Sequence, residues 1–344
     1  MANIDWSKLT FSYTKTNTIL TTTFKNGEWS PVESHTDDYV KVSSYCGAFH
    51  YAIECFEGLK AFRGKDGKVR LFRPEENALR LRRSAEFLGI EAPSVEVFVE
   101  LCKQAVRENI EFLPPYESRA SLYLRPTLIG CNPQLGVASS AESMFMVLCS
   151  PVGAYTGGNL EPVNCVIARN YDRAAPHGTG SHKVGGNYAT SLFSLNIAHK
   201  QGYKAVLYVT PDQRDHIDEF NSSNFFAIKG NSYITPKSGS ILPSITNKSL
   251  EEAAAYLGMT VERRPVAISE LSTFDEAGEC GTAVVITPVS HLDDKPFLES
   301  DEVTRYTFVE EGCGPKSQRL YDFITGIQYA EIEDPFGWTV EVEL

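Results

Sequence analysis

The stretch His177-Gly178-Thr179-Gly180-Ser181-His182-Lys183-Val184-Gly185-Gly186-Asn187-Tyr188 sets one lysine among glycines, directly ahead of a helical pattern. Glycine lets a backbone adopt φ > 0 and come close to a flat or phosphorylated ligand. A lysine in such a place can act as an amine nucleophile. Taken alone, the stretch reads more readily as a flexible surface loop with a solvated lysine. It is not a dinucleotide fingerprint, because Lys183 stands where the third glycine of G-x-G-x-x-G belongs. His177 and His182 are five apart, but no Cys or carboxylate nearby completes a zinc-ligand spacing, so no metal site is expected. The G-x-S-x-G elbow, H-E-x-x-H and the P-loop pattern are absent from the chain.

The surrounding chain has 344 residues, which suggests about two domains. Its 42 % hydrophobic and 22 % charged residues exclude a disordered chain and anything too small to bury a core. The 44 acidic against 32 basic residues give a net charge of −12, which disfavours nucleic-acid and anionic membrane partners while leaving room for a small anion in a locally positive pocket. MANIDWSKLT lacks the pattern of a signal peptide, and the apolar runs Met144–Cys149 and Ala283–Ile286 are too short to cross a bilayer. Eight cysteines without a C-x-x-C pair read as buried, reduced thiols in a cytoplasmic protein.

Patterning predicts two α+β domains with a cleft between them. Leu9–Phe24, rich in Thr and aromatics, reads as strand, and Val69–Phe72 runs into Pro74, where a helix can begin. Ala78, Leu81, Ala85 and Leu88 share a face of that helix, and Gly89 stops it. A second helix starts near Ser94, with Phe98, Leu101, Cys102, Ala105, Val106 and Asn109 on one face. Strands follow at Ser121–Leu128 and Ser143–Ser150. The Gly/Pro-dense segment 151–162 places a boundary, giving domains 1–152 and 163–344 joined by a linker over 153–162. Beyond it the pattern predicts strand Val163–Ala168, a helix over Asn187–His199 and strand Ala205–Thr210. A hairpin of Phe225–Ile228 with Tyr233–Thr235, helix Leu250–Leu257, strand Thr282–Val289 and a helix from about Lys316 to Tyr329 complete it.

Other constellations carry chemistry in that frame. In Glu219-Phe-Asn-Ser-Ser-Asn-Phe-Phe226 a carboxylate precedes Ser222 and Ser223. A buried acid there can keep a pyridinium nitrogen protonated, and the hydroxyls can donate to a phosphate or phenolate; a polar turn before a hairpin is the plainer reading. Leu242-Pro-Ser-Ile-Thr-Asn247 leads a helix, so the Ile245 and Thr246 amides can hold an anion, unless Thr246 or Asn247 merely caps the helix. Gly281-Thr282-Ala283 offers another hydroxyl with amides. Arg80 is a candidate phosphate partner, against the ordinary expectation of an exposed helix arginine. In order along the chain, these supply the parts of one pyridoxal phosphate site.

With these motifs the chain resembles the branched-chain amino-acid aminotransferases, class IV enzymes of pyridoxal-phosphate fold type IV. Phe56-Glu-Gly-Leu-Lys-Ala-Phe62, Leu71-Phe-Arg-Pro74, Ser121-Leu-Tyr-Leu-Arg-Pro126 and Lys183-Val-Gly-Gly-Asn-Tyr188 carry the resemblance, together with the later segments just named. It implies an α+β fold with a smaller N-terminal domain, a larger β-rich C-terminal domain and the site in the cleft. It implies ping-pong transamination of L-leucine, L-isoleucine and L-valine with 2-oxoglutarate, using pyridoxal 5'-phosphate. Lys183 matches the Schiff-base lysine, Glu219 the acid on the ring nitrogen and Tyr188 the phenol at O3′. Arg80, Ile245, Thr246 and Thr282 match the phosphate ligands, with Ser222 close to the ring. Tyr51, Tyr123 and Arg125 match residues on the substrate side, and Phe11, Phe56, Tyr155 and Ala283 add wall. A homodimer is implied as well.

Three positions depart from the family pattern: Asn221 where a smaller residue is usual, Ser244 for glycine, and Asn247 for a basic residue. Val284 and Thr287 hold the places of a C-x-x-C found in some animal members, so no such thiol switch is expected. The remaining alternatives are a D-amino-acid aminotransferase, an aminodeoxychorismate lyase, or a non-catalytic binding protein on the same fold.

Overall fold

The computed structural model describes residue 2 and residues 4–153 and 160–344. Most of the expected linker, and Tyr155 within it, lie outside the described residues. The chain divides into two compact units: Met1–Gly157, His182–Gly185 and Gly326–Leu344 form the first, and Gly158–Ser181 with Gly186–Thr325 the second. Among the described residues no helix is long and apolar enough to cross a membrane.

The first unit is built on an antiparallel sheet of nine strands among the described residues. These are β1 (Ile19–Lys25), β2 (Glu28–Trp29), β3 (Glu33–His35), β4 (Glu54–Phe56), β5 (Leu59–Arg63), β6 (Val69–Phe72), β7 (Ser121–Gly130) and β8 (Ser143–Val152), joined by Thr339–Val342. That last strand pairs with β6, so the chain's end belongs with its beginning, whereas patterning assigns it to the second domain. Only the end of Leu9–Phe24 is strand. Phe11 and Tyr13 are exposed, and β-propensity without a partner strand builds no ladder.

After the short α1 (Gly47–Tyr51), two helices cover this sheet. Pro74 opens α2 (Pro74–Leu88), Glu75 and Glu76 occupy its first turn, and Gly89 ends it at φ 68. Ser94 caps α3 (Val95–Glu108) by accepting the Val97 amide at 3.3 Å. The expected face of α3, from Phe98 to Val106, is buried in one core cluster with Leu81, Leu122 and Phe145.

In the second unit nine strands among the described residues form a mixed sheet. They are β9 (Val163–Ala168), β10 (Ala205–Val209), β11 (Ile217–Phe220), β12 (Asn224–Lys229), β13 (Ser232–Pro236), β14 (Thr260–Arg264), β15 (Glu276–Gly281), β16 (Val285–Lys295) and β17 (Thr304–Thr307). The helices are α4 (Gly185–Lys200) and α5 (Ile245–Tyr256), and α6 (Pro315–Gln328) follows β17. The strand expected over Thr282–Val289 is β16 from Val285 onward, while Thr282 and Ala283 lie in the turn that joins it to the antiparallel β15, a strand that patterning does not mark. Helix α5 begins earlier than its apolar pattern suggests, because Ser244 supplies the cap.

Candidate active site

In the first unit, the backbone of Lys183 is tied to both sheet and helix. The Phe56 amide donates to the Lys183 carbonyl at 3.1 Å, and Cys55 forms an antiparallel bridge with Val184. On the other side, the Lys183 amide donates to Ser84 Oγ of α2 at 3.0 Å. The lysine-bearing segment is therefore anchored, not a flexible surface loop. None of its glycines adopts positive φ: Gly180 is needed because a Cβ would sit 2.6 Å from the Ser240 backbone, so close packing explains it.

The Lys183 side chain is packed on an aromatic ring. Its Nζ lies 4.7 Å from the centroid of Phe56, and Arg125 Cζ lies 4.8 Å from the same centroid. Arg125 Nη2 also donates to the Tyr123 hydroxyl at 3.0 Å, and Phe11 meets Tyr123 edge-on at 4.8 Å. Phe11, Tyr123, Arg125, Leu148, Cys149 and Val152 line an apolar cavity of about 290 Å³. Tyr51 is not among the residues lining it; its hydroxyl donates to the Leu135 carbonyl. The Ser-Leu-Tyr-Leu-Arg alternation explains the arrangement, since Tyr123 and Arg125 share one face of β7.

Arg80 is not an exposed helix arginine. It is 5 % exposed and grips Glu57, itself 0 % exposed, through Nε and Nη2, both at 2.7 Å. Asn77 completes the cluster by donating to Glu57 Oε2 at 2.8 Å. Glu57 escapes sequence reasoning, although an acid in Phe-Glu-Gly next to a strand is its visible signal. Lys60, across from Tyr123 on β5, escapes it too, and burial pulls its amine down to about 8.

The second unit assembles the acid and anion-binding groups. Glu219 near the end of β11 is buried; Oε1 takes Arg173 Nη2 at 2.6 Å and the Leu242 amide at 2.8 Å. Asn224 Nδ2 donates to its Oε2 at 3.2 Å. Neither Arg173 nor Asn224 stands out in the sequence, because only the fold brings Arg173 to Glu219. Nearby, Ser244 Oγ accepts the Asn247 amide at 3.1 Å, so Ser244, not Thr246 or Asn247, caps α5. Ile245 and Thr246 thus occupy the first turn, where amides have no acceptor within the helix.

The departures from the family pattern have local reasons. Asn247 is buried, accepting from the Tyr233 hydroxyl at 2.7 Å and donating to Thr235 Oγ1 at 2.8 Å. Asn221 accepts the Val206 amide at 3.2 Å, one step beyond the Leu207–Phe220 pair of β10 and β11. Ser222 is exposed beside Ser223, which donates to Glu279. The turn with Thr282 and Ala283 follows Gly281, where a Cβ would lie 3.7 Å from Ser223. Val285 closes that turn at φ 62, a left-handed conformation costing a β-branched residue roughly 1–3 kcal/mol. Tyr188 is half-buried on α4.

The donor chemistry fits pyridoxal phosphate. The first unit carries an amine and cations; the second carries a buried carboxylate, hydroxyls and a helix N-terminus suited to an anion.

The family model "Amino-transferase class IV" matches residues 54–292. A branched-chain-amino-acid aminotransferase of Haemophilus influenzae is 46 % identical over 100 % of both chains. One from Helicobacter pylori is 44 % identical over 99 % of both. Among solved structures, the Escherichia coli branched-chain amino acid aminotransferase aligns with TM-score 0.80 and 27 % identity over 96 % of this chain and 100 % of that one. Another solved branched-chain amino acid aminotransferase, crystallised with pyridoxamine 5'-phosphate, aligns with TM-score 0.78 and 25 % identity, over 96 % and 99 %. Matched over more than half its length by the family model, and end to end by such relatives, this chain belongs to the class IV aminotransferases.

Proposed function

We propose that the protein transfers the amino group of L-leucine, L-isoleucine and L-valine to 2-oxoglutarate, giving branched 2-oxo acids and L-glutamate. The observation that carries this reading is the Phe56 ring, which holds the Lys183 amine and the Arg125 guanidinium on one aromatic platform. An amine able to move a proton then stands with a cation suited to carboxylates, while Arg125 also borders an apolar cavity able to take a branched side chain. Both properties are needed by an enzyme whose substrates alternate between branched and dicarboxylic.

Class IV aminotransferases use pyridoxal phosphate. When bound, it supplies an aldehyde for the substrate amine and a ring that takes up the electron pair left at Cα. Lys183 Nζ would remove the proton from Cα and deliver it, across the amine nitrogen, to the cofactor's former aldehyde carbon, as base and then acid. Glu219, paired with Arg173, would hold a proton on the ring nitrogen. Tyr188, Ser222, Ile245, Thr246, Thr282 and Arg80 bind the cofactor's oxygens. Arg125 and Tyr123 orient carboxylates, with Phe11, Phe56, Tyr51, Tyr155 and Ala283 as the wall.

This reading includes a homodimer, supported by the exposed side chains of Tyr45, Phe49, Tyr51, Leu135 and Val137. It also includes a reducing cytoplasmic setting, supported by the eight free cysteines. The domain limits 1–152 and 163–344, with a linker at 153–162, belong to the same proposal for the main body of each domain, His182–Gly185 and Gly326–Leu344 returning to the first compact unit. Absorbance spectra of the purified holoenzyme, alone, with L-leucine and then with 2-oxoglutarate, test it. The expected result is a change with L-leucine that 2-oxoglutarate reverses. Turnover of D-leucine alone would overturn it in favour of a D-amino-acid aminotransferase.

A further inference from the structure

Glu54 is a carboxylate that no step above uses, yet it reaches two of the groups on which those steps depend. It opens β4, pairing with Ile129 of β7, immediately after Ala52 turns the chain at φ 51. Two residues further on, the Phe56 amide binds the Lys183 carbonyl, and Cys55 bridges Val184. The side chain of Glu54 continues that register, its carboxylate lying directly against Gly185, whose amide draws its pKa down against the upward push of burial. A Cβ on Gly185 would lie 1.6 Å from Glu54 Oε1, so glycine at 185 makes room for this carboxylate. Three successive contacts, at Lys183, Val184 and Gly185, thus hold the backbone from which the amine projects.

The second reach of Glu54 is electrostatic. Burial pushes its carboxyl up, while the Gly185 amide and the charge of Arg125 pull it back. The register of β4 on β7 puts Glu54, Phe56 and Arg125 on one face of the sheet, with Arg125 Cζ over the Phe56 ring, so a carboxylate already shares the face of this cation before any substrate arrives. A dicarboxylic substrate brings a second carboxylate to that cation; a branched-chain substrate does not.

Resting on the roles given above to Lys183 and Arg125, we propose that Glu54 is a positioning residue that fixes the Lys183 backbone through Gly185 and balances the charge of Arg125, setting the preference between dicarboxylic and branched-chain substrates. Removing the charge strengthens Arg125 toward L-glutamate and leaves L-leucine, with no side-chain carboxylate, unaffected in KM. Removing the hydrogen bond as well loosens Lys183 and lowers kcat for both.

The test compares Glu54→Gln and Glu54→Ala holoenzymes with wild type, using L-leucine and L-glutamate separately as amino donors. In both variants the KM for L-glutamate should fall about fivefold relative to that for L-leucine, the scale of a partly exposed charge pair. Glu54→Ala should also lose about tenfold in kcat with either donor, and Glu54→Gln, whose amide oxygen still accepts from Gly185, should restore most of it. An unchanged KM ratio in both variants, or a kcat in Glu54→Ala equal to wild type, overturns the proposal. Wild type turning over neither donor would instead defeat the aminotransferase reading, and this proposal with it.

Discussion

Each unit buries an arginine–glutamate pair, and the two pairs are built differently. In the first, Arg80 binds both oxygens of Glu57 and Asn77 adds a third donor, so the acid is enclosed by side chains of α2. In the second, Arg173 Nη2 meets a Glu219 oxygen that also takes a backbone amide, and Arg173 Nε is buried without a hydrogen-bond partner. The enclosed, bidentate pair acts as a staple between α2 and the strands. The second pair, joined by the Leu242 amide and Asn224, surrounds an acid at the edge of a sheet with donors. On the proposed function, the first pair fixes Arg80 in place and the second sets the acid that faces the ring nitrogen.

Substitutions sort along this contrast. Lys183→Ala should abolish transamination with the far-ultraviolet circular dichroism unchanged, because the amine belongs to neither pair and serves only chemistry. Near-wild-type turnover in that variant would mean another group moves the proton. Glu219→Gln should lower kcat about 10²–10⁴-fold, measured by coupled assay, since a neutral amide no longer holds the ring proton. Glu57→Gln, by contrast, should appear chiefly in denaturant unfolding of the cofactor-free protein, with a loss of about 3–5 kcal/mol from leaving Arg80 buried without its anion. If Glu57→Gln spared stability while Glu219→Gln destroyed it, the two roles would be exchanged.

Smaller effects extend the contrast to charges governed by other means. Burial lowers Lys60 to about 8 in the folded protein against an ordinary value of 10.5. The unfolded chain therefore binds the extra proton between those values, and stability should rise as pH increases through that window. Lys60→Met should stabilise the protein at pH 7 by about 2–3 kcal/mol, with the gain fading by pH 10.5. At the surface, Arg70 hydrogen-bonds Asp66 and holds its carboxyl down at about 2. Asp66→Asn should cost less than about 1 kcal/mol at neutral pH, and the difference should vanish as pH falls from about 4 to 2.

Half of each pair was legible in the sequence. Arg80 and Glu219 stood out because their types and neighbours matched a cofactor site; Glu57 and Arg173 did not, because pairing across a sheet or a loop leaves no local spacing to read. Helices α2 and α3 were legible to within a residue or so, since a proline, a serine cap and a glycine stop act locally. The first half of the strand expected over Leu9–Phe24 failed for the opposite reason: strand formation depends on a partner that the segment lacks. The turn at Thr282 was hidden inside an apolar run, where periodicity cannot mark a reversal and only Val285 at φ 62 reveals it.

The pairing of Thr339–Val342 with β6 also bears on how the protein is made. Lys68 meets Glu341 across 273 positions of sequence, and Val69 registers with Val342. On the ribosome, the first sheet must wait with an open edge at β6 while the whole second unit is synthesised. Non-local closure of this kind slows folding and leaves a strand edge available to other nascent chains. Neither compact unit corresponds to one uninterrupted stretch of gene. A fragment ending before residue 339 should therefore emerge with that edge bare and aggregate, and adding the missing strand as a separate peptide should recover soluble material.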